Sequence, residues 1–292
     1  MTQTLTRPAP AAGTRVRDAL AHPPLTADVP DIRPTLRRAV SGRTRAALLA
    51  GAVAAGAATA ASDPAGGTAL TAAATGAAAL TALAANWSTC GMSVAGVVAA
   101  PKQPGRKGAS TPWRRLGWHA VGSVATAVPT GALLGLLGAP VTAAVPVTVL
   151  LLVWAAAAIA YGLHELGMVR MPTPMRRRQL PRHLRKTTEP WKVSLLFGTM
   201  IGPGFLIFIR SSAYYLLVLG VLASGSPDLG AALFTLVALG RCLPSLLAIL
   251  HSRRGGSMPG FLSMMCVMDR RVQTVTGAGL AALAAFASLA TL

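Results

Sequence analysis

The chain has 292 residues, of which 53% are apolar and only 12% charged, about half the charged fraction of an ordinary soluble domain. Lys and Arg outnumber Asp and Glu by 27 to 8, a formal net charge of +19. That balance excludes an ordinary soluble globule and a wholly disordered chain, and three cysteines with no Cys-x-x-Cys pair exclude a disulfide scaffold and a zinc ribbon.

Residues 1–40 are rich in Pro, Thr, Ala and Arg and lack apolar periodicity, so a disordered basic tail is predicted there. Seven apolar segments follow, roughly at 46–62, 68–98, 119–138, 143–166, 194–222, 229–250 and 273–292. A hydrocarbon core about 30 Å thick takes roughly 20 helical residues, which most of the segments reach. The second and fifth exceed that length and are predicted to be broken or tilted. The links after segments one, three and five carry no Lys or Arg and hold Asp63, Pro140 and Asp228. Those after segments two, four and six carry the basic blocks. Seven helices with a cytoplasmic N-terminus place every block on the cytoplasmic side, as the positive-inside rule requires. Trp113, Trp118 and Trp191 then fall at that interface, where amphipathic rings settle.

The expectation is an all-α, polytopic membrane bundle of about seven helices in the cell inner (plasma) membrane. Residues 1–40 form its tail and 41–292 its transmembrane domain. The basic blocks are explained as topology signals and contacts to anionic lipid at the cytoplasmic face. They are not interleaved with exposed aromatics, so nucleic acid is not an expected partner.

Small residues crowd the segments. Gly131-x-x-x-Gly135 and Gly198-x-x-x-Gly202 are faces that let helices approach closely, within the bundle or in a homodimer. Gly202-Pro203-Gly204 interrupts segment five, either as a break lining a cavity or as a simple kink. Pro129 and Pro244 are kink candidates.

Arg210 and Arg241 are the two basic residues inside apolar runs. Counting from the short link between segments five and six, both lie roughly 18 Å deep on antiparallel neighbours. They are candidates to bind an anionic group or a partner's carboxylate. The other reading has them satisfied by backbone carbonyls, Ser211, Ser212 or Tyr214. No Asp or Glu is expected in mid-membrane, Glu165 at the end of segment four being the nearest. His119, His164, Glu165 and His251 are predicted at the cytoplasmic interface as a possible polar cluster. No His-x-x-x-His pair occurs, so no metal is expected, and no cofactor motif is present. There is no Gly-x-Ser-x-Gly, Walker or His-Glu-x-x-His motif either.

Cys90 stands in Thr89-Cys90-Gly91-Met92-Ser93, ahead of a basic loop and a Gly-rich helix. A second stretch runs Pro190-Trp191, then Phe197-Gly198-x-x-x-Gly202-x-Gly204-Phe205, with Tyr214-Tyr215 downstream. Together the two cover about half of the chain and resemble the membrane domains of the DsbD/CcdA/MauE type, which relay thiol electrons across bacterial membranes. The resemblance implies two membrane cysteines, one per repeat. Cys90 fits the first place. Segment five carries no cysteine, and Cys242, beside Arg241, is the candidate for the second. The implied function is that of an accessory membrane protein, redox-related or redox-derived, working with a thioredoxin-like protein or a further membrane subunit. The alternative is a membrane subunit of a biosynthetic, peptide-modifying or export complex that binds an anionic group through Arg210 and Arg241.

Overall fold

The computed structural model describes residues 41–61, 66–84, 87, 89–101, 110–172, 187–204 and 211–291, with the side chains of Gly66, Gly67, Thr89, Cys90 and Arg270 left aside. The predicted N-terminal tail, the basic blocks around Arg106 and Arg178, and Arg210 lie outside the described residues.

Among the described residues, ten helices account for the seven apolar segments. Segment one is α1 (Gly42–Ala60). Segment two is divided into α2 (Gly66–Ala84) and α3 (Thr89–Val98). Segments three and four are α4 (Pro112–Ala144) and α5 (Val147–Glu165). Segment five is divided into α6 (Pro190–Ile201) and α7 (Ala213–Ser224). Segment six is α8 (Pro227–Gly240) and α9 (Leu243–Arg253), and segment seven is α10 (Met258–Leu289). No strand occurs among the described residues. The chain is a multi-pass, all-α membrane bundle. Four spans, Pro112–Ala144, Val147–Glu165, Pro227–Arg253 and Met258–Leu289, are long and apolar enough to cross a bilayer.

Helix starts follow local chemistry. Ser41, Thr111, Ser226 and Ser257 each accept a backbone N–H three residues on, at 3.1, 3.3, 3.3 and 3.2 Å. Proline stands in the first turn after Thr111, Ser226 and Ser257, where its missing N–H costs nothing. α4 runs unbroken through Pro129 and Pro140.

α2 lies at the centre. Its Ala69, Ala73 and Ala77 are fully buried in one cluster with Leu151 and Trp154 of α5, Leu216 and Leu217 of α7, Phe234 of α8 and Leu280 of α10. Trp154 Nε1 donates to the Leu216 carbonyl at 2.9 Å, so the one polar atom of that ring is satisfied. The two glycine faces pack within the bundle. A Cβ at Gly131, Gly135 or Gly138 of α4 would overlap the backbone carbonyl of Gly230, Ser226 or Leu222, and one at Gly198 or Gly202 would overlap that of His119 or Ser123. Helix axes this close leave no room for any side chain.

Segment six is a single span, Pro227–Arg253, whose helical hydrogen bonding loosens over Arg241 and Cys242 ahead of Pro244, the kink expected there. One expectation changes here. Segment seven does not begin at residue 273. α10 starts at Met258, because a buried stripe through Phe261, Met265, Asp269, Gln273, Thr276, Leu280, Ala284 and Ala287 keeps helical spacing across the charged Asp269-Arg270-Arg271.

Candidate functional site at the helix breaks

Segments two and five are interrupted and segment six is kinked over Arg241 and Cys242, and a bilayer supplies no water to satisfy exposed backbone groups. At segment five charged and phenolic side chains do it. α6 ends at Ile201. Gly204, at φ 83°, turns the chain and donates to the Ile201 carbonyl at 2.9 Å. The Arg241 guanidinium donates through Nη1 to the same carbonyl. Tyr214 Oη donates to the Pro203 carbonyl at 2.5 Å, and its ring lies 6.0 Å from the Arg241 guanidinium carbon. α7 begins where the Ser212 N–H donates to Glu165 Oε1 at 2.8 Å. Arg115 of α4 donates to the carbonyls of Val97 and Ala100 at the end of α3. Cations thus stand at two helix C-termini and a carboxylate at a helix N-terminus, each matched to the sign of the helix dipole.

Arg241 itself ends α8 and is 6% exposed. Its use on a carbonyl of its own chain favours the structural reading of this arginine over an anion site. Arg210 lies outside the described residues, so the expected pairing of the two arginines is left to experiment.

The four residues expected at the interface are not gathered. His119 is fully buried between α4 and α6, its ring 6.3 Å from Phe197, and neither ring nitrogen has a well-formed hydrogen bond. His164 accepts the Met171 N–H through Nδ1 at 2.9 Å. His251 packs on Phe261 at 5.6 Å. Glu165 is 7% exposed and turned into the bundle. Among the described residues no three of His, Cys, Asp and Glu come close enough to hold a metal ion. Of the tryptophans, Trp118 and Trp191 pack with tilted rings, 5.2 Å between centroids, and Trp113 lies under Arg253 at 5.2 Å. Nearby, Glu189 at the exposed mouth of α6 sits 3.1 Å from Lys192, whose hydrogen bond and charge hold that carboxyl below its usual range.

The residue missed in the sequence is Asp269. It is 1% exposed, and it lines a small cavity together with Glu165, Ser211, Gln273 and Thr276. The signal was present as the four-residue spacing Met265, Asp269, Gln273, which continues the buried stripe of α10.

Cys90 is the second residue of α3, directly after the break in segment two, and its side chain lies outside the described set. Cys242 is the N-cap of α9, at the kink in segment six, and its Sγ donates to the Ala238 carbonyl at 3.7 Å. α3 and α9 pack together. The third cysteine, Cys266, is exposed on α10 with its Sγ 3.2 Å from Met92 Sδ.

The methylamine utilization protein MauF of Paracoccus denitrificans is 30% identical over 263 residues, covering 88% of this chain and 94% of that protein. The chain belongs to the MauF family. The MauF of Paracoccus versutus is 30% identical over 212 residues, 69% of this chain and 75% of that protein. The MauF of Methylophilus methylotrophus is 34% identical over 165 residues, and there the match spans 57% of the relative's length. No family model matches the chain, and no solved structure does. The MauF relatives bear out the MauE-like part of the expected kinship. The wider tie to DsbD and CcdA is a separate matter.

Proposed function

We propose that the chain is an accessory membrane protein of methylamine utilization that works with a protein partner, and that Cys90 and Cys242 are its thiol pair. The role is carried by the near full-length match to the Paracoccus denitrificans MauF. The thiol reading is supported by where the two cysteines fall in the fold. Cys90 follows the break in segment two and Cys242 stands at the kink in segment six, and the two short helices they open lie against each other. On one side of these points, Gly240 meets Ala82. On the other, Ala95 and Ala99 of α3 share a cluster with Ala248 and Ile249 of α9. Both cysteines fall between those two contacts along the chain.

The chemistry is thiol–disulfide exchange. A dithiol of a thioredoxin-like partner, or of a further membrane subunit, attacks the Cys90–Cys242 disulfide. The electron pair reduces that disulfide to two thiols, and the partner leaves as a disulfide. A scaffold of the DsbD/CcdA kind would supply the relay geometry. The test is purification of the native complex from oxidised membranes, followed by disulfide mapping by mass spectrometry. A Cys90–Cys242 link and a co-purifying partner are expected. Both cysteines alkylated as free thiols after oxidation would remove the relay.

A further inference from the structure

A cavity of about 300 Å³ lies between two short hairpins, α4–α5 and α7–α8, and reaches the start of α2. Its apolar wall is Leu70 of α2, Val145 at the C-cap of α4, Val147 and Leu150 of α5, Ala223 of α7 and Leu229 of α8. Each stands within about 6 Å of a helix end along the axis. The charge pattern makes that side external, so the cavity sits where acyl chains meet headgroups. The wall offers little to a polar ligand. Thr142 Oγ1 donates to the Ala139 carbonyl at 2.9 Å, and Ser224 Oγ to the Val221 carbonyl at 2.8 Å. Ser226 Oγ accepts the Leu229 N–H at 3.3 Å. Among the described residues that line the cavity none is charged. A held water needs two to four polar partners, so an apolar occupant fits this wall better than water does. The cavity is also continuous with the lipid-facing belt: Val147 lines it and is 38% exposed, and Val141 and Val149 of the same hairpin are exposed beside it.

Charge selects the headgroup. The links on this side carry no Lys or Arg. Asp228, next to Leu229, is exposed in the first turn of α8. Asp63, ahead of α2, lies outside the described residues, and its charge has the same sign. Such a face repels an anionic headgroup and attracts an amine. We propose that the cavity binds one acyl chain of a phosphatidylethanolamine molecule from the outer leaflet, with the headgroup amine toward Asp228. The chain then wedges the two hairpins against α2. The inference is independent of the thiols, and its test involves no redox step.

The experiment is native mass spectrometry of the full chain released from nanodiscs that hold equal amounts of phosphatidylethanolamine and phosphatidylglycerol. The parent should keep one phosphatidylethanolamine molecule. Ala223→Leu fills the cavity from α7 and Leu150→Trp fills it from α5, so that neither variant alone decides the result. Each should lower the retention about tenfold. Leu136→Phe, on the lipid-facing side of α4 at 60% exposure and outside the cavity, should keep the lipid as the parent does. Asp228→Asn should keep a lipid and lose the preference for the ethanolamine head. A parent that keeps no phospholipid overturns the proposal, and so does undiminished retention in both filling variants. An Asp228→Asn protein with the parent's preference overturns it as well. Filling variants that keep the lipid but no longer co-purify with a protein partner would make the cavity a protein-docking site instead.

Discussion

The guanidinium of Arg241, at the kink of segment six, donates to the carbonyl of Ile201, at the break of segment five. Two irregular points that would each expose backbone to lipid are closed against one another. Glu165 does the complementary work 47 positions away in sequence, accepting the Ser212 N–H at the start of α7. Discontinuous helices in a bilayer persist only where their ends find such partners, and these side chains are the means by which the bundle holds its broken segments.

Arg241 should therefore matter first to stability. Arg241→Met leaves the Ile201 carbonyl, among the described residues, with the Gly204 N–H and removes the cation from the end of α6. A loss of about 1–2 kcal/mol is expected, read as a lower melting midpoint in detergent, with Arg241→Lys falling between. A Met variant as stable as the parent but inactive would point instead to recognition of an anion, where the planar guanidinium is not replaceable by Lys.

At Glu165 two substitutions separate the hydrogen bond from the charge. Glu165→Gln keeps an acceptor for the Ser212 N–H, whereas Glu165→Ala removes it. The Ala variant should melt lower than the Gln variant by an amount equivalent to about 1 kcal/mol. Equal midpoints would show that the bond contributes nothing.

Helix packing gives a matched pair of glycines on α4. A Cβ at Gly138 would overlap the Leu222 carbonyl, while one at Gly117 meets nothing within 4 Å. Gly138→Ala should cost about 1–3 kcal/mol through forced separation of helices. Gly117→Ala should be neutral or stabilising by up to about 1 kcal/mol. Thermal melts of the two single variants decide it.

Orientation follows from charge. Reporter fusions after Gln103, Arg178 and Arg254 should read cytoplasmic, and fusions near Asp63 and Asp228 external. An external reading at Arg178 would contradict the arrangement.

The spans were legible because hydropathy and loop charge act locally and both leave a plain trace in sequence. So was the break at Gly202-Pro203-Gly204, which lacks a donor and two side chains. The kink ahead of Pro244 was legible too, but the role of Arg241 beside it was not, since a lone arginine reads as a buried charge until the carbonyl it serves is known, and that carbonyl is 40 residues away. Asp269 was hidden by its neighbours. Arg270 and Arg271 pull the local hydropathy down, while the helical spacing that carries Asp269 inward shows only over several turns of α10. His119 was placed at the interface because it opens an apolar run, but α4 begins seven residues earlier, at Pro112, and its next turns are covered by α6.

Growth on methylamine tests the account most directly. Deleting the gene in its own host should abolish that growth without affecting growth on other substrates. A plasmid copy of the parent should restore it, and a copy carrying Cys90→Ser with Cys242→Ser, accumulating normally in the membrane, should not. Parental growth of the deletion strain on methylamine would contradict the assigned role, and full rescue by the double-serine copy would contradict the thiol pair.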